Sequence, residues 1–170
     1  AAAADFATRV IAPQAESWNT AGSVPRSFFR EAAAAGLCGL RVPRAQGGRG
    51  LGAGAYTQVL GILARECMAS TFALVVHNNL AATVAGACSP EQVARHLGPM
   101  LAGESVGAFL LTEPGAGSDA QALATRATRD GTGWVIDGAK AWISNARHAD
   151  VLAVFAQTAP GSGAAGIACF

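Results

Sequence analysis

The sequence has few charged side chains and almost no net charge. Charged residues make up 14% of the 170 residues, and the formal net charge at pH 7 is +1. Proteins that bind nucleic acids or anionic membranes usually concentrate positive charge on one face. The 12 Lys and Arg residues are dispersed instead. Composition therefore gives no support for a nucleic acid or a membrane surface as a partner.

Long apolar runs are also missing, although 51% of the residues are hydrophobic. No run approaches the roughly 20 residues that a helix needs to span a bilayer. The start, Ala1–Ala4, has no basic flank and no cleavage-site pattern, so it does not resemble a signal peptide. These absences, with cysteines that show no pairing pattern, predict a cytoplasmic protein.

Metal-binding and disulfide patterns are absent. The cysteines are scattered, with no C-x-x-C, at Cys38, Cys67, Cys88 and Cys169. The three histidines form no H-x-x-x-H or H-E-x-x-H pair. We therefore predict no metal site and interpret the cysteines as small hydrophobic residues in a reducing compartment.

Phosphate-binding glycine motifs are incomplete. The segment 36–54 is rich in glycine, but it lacks the Gly-Lys-Ser/Thr ending of a P-loop. Its spacing is a poor match to the dinucleotide fingerprint G-x-G-x-x-G. We interpret it as a flexible loop between helices.

Helical patterns fill the first 104 residues. The apolar spacing predicts a helical bundle with helices near 1–18, 25–35, 53–68, 72–85 and 90–101. Pro13 is expected to interrupt or end the first helix. Ser70 or Thr71 could cap the fourth helix. Ser89 and Gln92 form a capping-box pattern at the start of the fifth.

From Val106 the sequence changes to strand patterns. A buried strand is predicted at 106–111, and further strands at 121–129, 134–137, 140–144, 151–158 and from 166 onward. Asp130–Gly133 has the composition of a hairpin turn. The predicted fold class is α+β: an all-α helical bundle over 1–104, then the beginning of an antiparallel β-barrel or sandwich over 105–170. Because so few strands leave an open edge, we expect the chain to belong to a longer protein.

Two stretches carry side chains suited to ligand binding. In the turn at 112–119, Gly115 and Gly117 allow positive φ and a close approach of backbone to a bound group. Downstream, Trp142 offers a flat aromatic face, and Ser144 would point to the same side of a strand. Such a pair suits a planar heteroaromatic ligand. Core packing is the alternative interpretation for Trp142.

Together the two stretches resemble the acyl-CoA dehydrogenase family. The segment 112–119 matches the family turn T-E-P-x-A-G-S-D, and 138–145 matches G-x-K-x-W-I-[ST]-N. Arg41-Val42-Pro43 and Gly47-Gly48 match the family segment R-V-P-x-x-x-G-G. The resemblance covers the whole chain. It implies the amino-terminal helical domain and the first part of the middle β domain, ending before the carboxy-terminal helical domain.

The resemblance implies FAD as cofactor. The residues that match the family's flavin site are Phe109, Leu111, Thr112, Gly117, Ser118, Trp142, Ile143 and Ser144. Ser118 also matches a substrate contact, Trp142 the residue against the flavin face, and Ser144 the hydroxyl beside flavin N5.

The remaining polar residues near these motifs are given structural roles. Glu113 and Asp119 are interpreted as turn-stabilising, and Lys140 as a strand-surface or structural charge. The polar run 77–79 inside an apolar helix predicts a hydrogen-bonded core histidine or a wet helix face. Contact with the acyl chain or the flavin is the alternative.

The implied reaction is α,β-dehydrogenation of an acyl-CoA in fatty acid metabolism. The family's glutamate base lies in the carboxy-terminal domain and has no match here, so we name no catalytic residue and expect the 170 residues alone to be inactive. The implied partners are an acyl-CoA, an electron-transfer flavoprotein or other acceptor, and further copies of the chain in a dimer or tetramer. An acyl-CoA oxidase, a flavin-dependent monooxygenase and a non-catalytic binding member on the same scaffold are the alternatives.

Overall fold

Helices occupy the first part of the chain and strands the second, which confirms the α+β class. The structure is a computed structural model that describes all residues, 1–170. The helices are α1 (Ala2–Phe6), α2 (Ala12–Ala21), α3 (Ser27–Ala34), α4 (Ala53–Ala64), α5 (Met68–Ala87) and α6 (Pro90–Leu101). The strands are β1 (Gly107–Leu110), β2 (Arg126–Asp130), β3 (Gly133–Asp137), β4 (Val151–Gln157) and β5 (Ile167–Cys169).

Pro13 interrupts α-helical hydrogen bonding without ending the helix. A π-helical segment, Ala7–Ile11, joins α1 to α2, and Pro13 lies in the first turn of α2. Proline has no N–H to donate to the preceding turn, and a π-helical turn is a local way to absorb such a disruption. The helix ends before Gly22, whose φ of +63° is the left-handed cap that glycine favours.

The two capping predictions have different outcomes. The capping box at Ser89 is confirmed: Ser89 Oγ accepts from the Gln92 N–H at 3.3 Å, and Gln92 Oε1 accepts from the Ser89 N–H at 2.9 Å. The prediction for Ser70 or Thr71 is wrong, because α5 begins earlier, at Met68. Both hydroxyls donate back to the Cys67 carbonyl instead, a bond that competes with capping.

The sheet is mixed and not wholly antiparallel. The strand order is β1-β4-β2-β3, with β5 also paired to β4. β1 runs parallel to β4 from Gly107↔Val151 to Leu110↔Val154, and β2 meets β4 in parallel at one pair. β2 and β3 form the predicted antiparallel hairpin, and β5 pairs antiparallel with β4. A parallel pair needs a long crossover, and the motif stretches lie in the connection from β1 to β4.

The predicted strand at 140–144 is wrong. The residues from 138 to 145 form no strand. Trp142 has φ +59° and Asn145 has φ +66°, in the left-handed region that ends strand geometry. Trp142 and Ser144 therefore do not share one face of a strand.

Helix α5 joins the two parts of the core. One cluster contains Phe28, Phe29 and Leu74 among the helices. The second contains Leu80 of α5, Met100 of α6 and Ala153 of β4. Because burying a large apolar side chain contributes about 1.5–3 kcal/mol, this shared helix ties the sheet firmly to the bundle. No helix is both long and apolar enough to cross a membrane.

Candidate functional site

Glu113 organises the turn that follows β1. Its backbone pairs with Ala116, with hydrogen bonds of 2.9 and 3.2 Å in the two directions. Its carboxylate accepts from the backbone N–H groups of Ala124 at 2.6 Å and Thr125 at 3.0 Å. Glu113 thus closes the turn and attaches it to the chain that leads into β2.

Lys140 is the third partner of this carboxylate. Its Nζ lies 2.8 Å from Glu113 Oε1 and also donates to the Leu111 carbonyl at 3.1 Å. The two side chains are only 8% and 4% exposed. Lys140 is therefore a buried structural charge, and not the strand-surface residue that was the other possibility.

The same contacts decide the charge state of Glu113. Burial alone would raise the pKa of Glu113, but the hydrogen bonds from Lys140, Thr125 and Ala124 outweigh it and lower the pKa to about 2. The carboxylate is ionised and fully engaged at neutral pH. Its predicted turn-stabilising role is confirmed, and its geometry excludes it as a general base. Asp119 has a similar local role, because its Oδ1 accepts from the Gln121 N–H at 3.2 Å.

The two motif stretches lie side by side. The Ala141 N–H donates to the Thr112 carbonyl at 3.0 Å, next to the Lys140–Glu113 pair. The N–H groups of Leu111 and Thr112 have no partner among the backbone carbonyls. Two adjacent donors therefore remain free for a ligand at the end of β1.

Trp142 projects into solvent from the second stretch. Its side chain is 92% exposed, which rules out core packing within this chain. A non-glycine residue in the left-handed region costs of order 1–3 kcal/mol and persists only where its surroundings hold it. Such strain is common at ligand-binding sites.

The other predicted site residues are spread over an open surface. Phe109 packs on Phe155 with ring centroids 4.7 Å apart, so it belongs partly to the core. Ile143 and Ser144 border a cleft of about 550 Å³, whereas Trp142 and the turn residues lie outside it. The structure brings the two motifs together but does not enclose them in one cavity.

The glycines of the turn border open space. Neither Gly115 nor Gly117 uses the positive φ that glycine allows. A Cβ built on either residue would meet no atom within 4 Å. Gly117 and its neighbour Ser118 are exposed, and the space above the turn is open.

His77 is a hydrogen-bonded core residue, as the favoured interpretation predicted. Its Nδ1 accepts from the Gly107 N–H at 3.2 Å, so Nε2 carries the proton and donates to the Met100 carbonyl at 3.1 Å. Burial lowers the pKa of His77 to about 4, against a smaller raising effect of the Met100 bond. Asn78 is buried too, bonded to Leu37, Leu40 and Leu74. These side chains are occupied within the core.

Sequence reasoning missed two anchors of the second stretch. The Asn145 side-chain amide donates to the carbonyls of Ala73 and Gly107, at 3.0 Å each. Arg26 pairs with Asp150 at 2.7 Å. Asparagine is enriched at left-handed positions, which is the one signal that could have marked Asn145.

Two family models match the chain. The acyl-CoA dehydrogenase N-terminal domain matches residues 1–104, and the acyl-CoA dehydrogenase middle domain matches 108–170. Mitochondrial isobutyryl-CoA dehydrogenase of Dictyostelium discoideum is 35% identical over 167 residues, covering 98% of this chain and 40% of the relative. Mitochondrial short-chain specific acyl-CoA dehydrogenase of Bos taurus is 35% identical over 155 residues, covering 91% of this chain and 38% of the relative.

A solved structure shows the same architecture. Glutaryl-CoA dehydrogenase from Mycobacterium smegmatis, in complex with FADH2, superposes with a TM-score of 0.91 at 29% identity. The match covers 99% of this chain and 42% of that chain. The chain thus spans about two fifths of the length of these relatives.

Proposed function

Because the chain belongs to the acyl-CoA dehydrogenase family, we propose that the protein carrying it catalyses FAD-dependent α,β-dehydrogenation of an acyl-CoA thioester. The observation that carries the proposal is the junction of the two motif stretches. The buried Glu113–Lys140 pair and the Ala141–Thr112 hydrogen bond hold them side by side. This junction leaves adjacent N–H donors free next to a stretch that exposes an indole ring.

The residues at this junction fit a flavin. A flavin ring is flat and carries hydrogen-bond acceptors along its pyrimidine edge, so it can pair with free N–H groups and stack on an aromatic face. The residues proposed to hold FAD are Phe109, Leu111, Thr112, Gly117, Ser118, Trp142, Ile143 and Ser144. Bound FAD would supply the two-electron redox chemistry, which no amino-acid side chain provides.

Specific tasks are proposed for five of these residues. The free N–H groups of Leu111 and Thr112 orient the ring edge, and Trp142 covers one ring face. Ser144 offers its hydroxyl to the reactive part of the ring, and Ser118 contacts the acyl thioester. Fixing the reacting groups in one orientation accounts for a large part of the rate in such reactions.

No carboxylate of this chain is proposed as the base that removes the α-proton. Glu113 is buried, ionised and bonded to three groups. We propose that the base comes from a part of the protein outside these residues, and we expect the 170 residues alone to be inactive.

We propose a helical domain over 1–104 and the first part of a β domain over 105–170. We also propose an electron-transfer flavoprotein or another acceptor as electron partner, assembly into a dimer or tetramer, and a cytoplasmic location.

A substitution at Trp142 tests the flavin assignment. In the protein that carries this chain, Trp142→Ala should weaken FAD binding by about tenfold or more, because base-like rings gain about 1–3 kcal/mol from stacking on an aromatic side chain. Titration calorimetry with FAD on the flavin-stripped protein measures the change. Trp134→Ala is the matched control, since Trp134 lies near the start of β3 and packs against Phe170 and Arg129, which belong to neither motif. Equal FAD affinity in wild type and Trp142→Ala would contradict the assignment.

A further inference from the structure

The segment that carries Trp142 and Ser144 is held in an unfavourable backbone conformation. Trp142 and Asn145 are the only non-glycine residues with positive φ in the chain, at +59° and +66°. They flank Ile143 and Ser144 on either side. A left-handed backbone at a bulky residue such as Trp142 persists only where surrounding contacts fix it, so some contact must hold this segment in place.

The side chain of Asn145 supplies that contact. Its Nδ2 donates to the Ala73 carbonyl on α5 and to the Gly107 carbonyl on β1, at 3.0 Å each. Both amide hydrogens are therefore used. A single side chain bridges the helical bundle and the first strand, directly after Ser144.

Both ends of this bridge lie in closely packed parts of the fold. Ala73 is buried within α5. Gly107 donates its N–H to His77, and a Cβ at Gly107 would lie 2.9 Å from carbons of Leu80 and Met100. The strand therefore lies against α5 as closely as the backbone allows. The two carbonyls that accept from the Asn145 amide are thus held at fixed positions relative to each other.

A second anchor fixes the far end of the segment. Arg26 donates to the carbonyls of His148 and Glu104 and pairs with Asp150, whose carboxylate also accepts from the Val106 N–H at 2.8 Å. This anchor lies three or more residues beyond Asn145. It cannot by itself set the position of Ser144.

We propose that Asn145 is a positioning residue, whose amide bridge between α5 and β1 sets Trp142 and Ser144 in the orientation that flavin and acyl thioester require. The inference rests on the proposed function and assigns to Asn145 a task that acts through its neighbours. Asn145 itself is not proposed to touch either ligand.

Two substitutions distinguish the contribution of the Asn145 side-chain amide from that of its backbone conformation. Asn145→Asp keeps the size and the tolerance of left-handed φ but removes both donors. Asn145→Gly keeps the backbone freedom and removes the side chain. Gln14→Glu is the control for an amide-to-acid change, because Gln14 is exposed on α2.

The kinetic test uses the flavin-loaded protein that carries this chain. At saturating acyl-CoA, both Asn145 variants should slow flavin reduction by about tenfold or more, as expected for misplaced reacting groups. The Kd for acyl-CoA should change by less than about threefold. Gln14→Glu should behave as wild type. Slow reduction in Asn145→Asp with normal reduction in Asn145→Gly would overturn the inference, since charge and not the lost bridge would then be responsible.

Hydrogen exchange on the flavin-free protein provides an independent readout. The amides of Ala141 and Ala146, bonded to the carbonyls of Thr112 and Ile143, should exchange about tenfold faster or more in both variants. The β2–β3 hairpin should exchange at the wild-type rate. Unchanged protection of Ala141 and Ala146 would overturn the inference even if no acyl-CoA reduces the wild-type flavin. Normal reduction by both variants would overturn the inference and leave the proposed function standing.

Discussion

At the scale of single residues, the Glu113–Lys140 pair determines how the two motif stretches meet. The pair is buried. Glu113 comes from the turn after β1, and Lys140 comes from the segment before Trp142. The turn-stabilising role of Glu113 was predictable because a carboxylate beside Pro and Gly commonly accepts backbone N–H bonds. Its partner was not, since nothing in the local sequence indicates a contact 27 residues away.

Removal of one member of the Glu113–Lys140 pair should lower the stability of the fold. Glu113→Gln leaves the Lys140 ammonium buried without a counter-charge, and we expect a loss of about 3–5 kcal/mol in the free energy of unfolding. Urea denaturation followed by circular dichroism measures it. Asp5→Asn, which breaks the exposed pair Asp5–Arg9, should have a much smaller effect.

A double substitution checks the origin of this loss. Glu113→Gln combined with Lys140→Met removes both charges, and it should be less destabilising than the sum of the single changes. Strict additivity would show that the two side chains do not act as a pair.

At the scale of elements, the sequence predicted the structures that depend on neighbouring residues and missed those that depend on contacts between distant residues. The capping box at Ser89 and the hairpin at Asp130–Gly133 depend on neighbouring residues, and both were predicted. The segment at 140–144 has strand-like composition, but tertiary contacts of Lys140 and Asn145 hold it in left-handed turns. The parallel pairing of β1 with β4 was missed for the same reason. The sequence of neither strand indicates which distant strand it pairs with or in which register.

The junction of α5, α6 and β1 predicts a pH dependence. His77 joins them through Gly107 and Met100, and its pKa is lowered from 6.5 to about 4. The unfolded state therefore binds a proton at a higher pH than the folded state does. The contribution of His77 to stability is complete above about pH 6.5 and is lost as the pH falls toward 4.

Denaturation at two pH values measures this effect. Wild type should lose about 2 kcal/mol of unfolding free energy between pH 7 and pH 5, and His77→Gln should lose clearly less over the same interval. The comparison uses the difference between pH values within each protein, so a lower starting stability of the variant does not affect it. An equal loss in both proteins would assign the pH dependence to other groups.

At the scale of the whole molecule, the chain forms a helical bundle joined through α5 to a mixed sheet with one open side. Every residue of β3 is exposed, and Trp134, Val135 and Ile136 are 40–53% exposed. The relatives are more than twice as long as this chain. We propose that further parts of the protein and the proposed flavin cover the open side and the exposed Trp142.

An anaerobic titration of the whole flavin-loaded protein with acyl-CoAs of different chain lengths tests the proposed dehydrogenation. The visible absorbance of the bound flavin is recorded after each addition. We predict that at least one acyl-CoA bleaches the flavin and is converted to its α,β-unsaturated form. A flavin-loaded protein that no acyl-CoA bleaches would contradict the proposed dehydrogenation and move the assignment to a monooxygenase or a binding relative on the same scaffold.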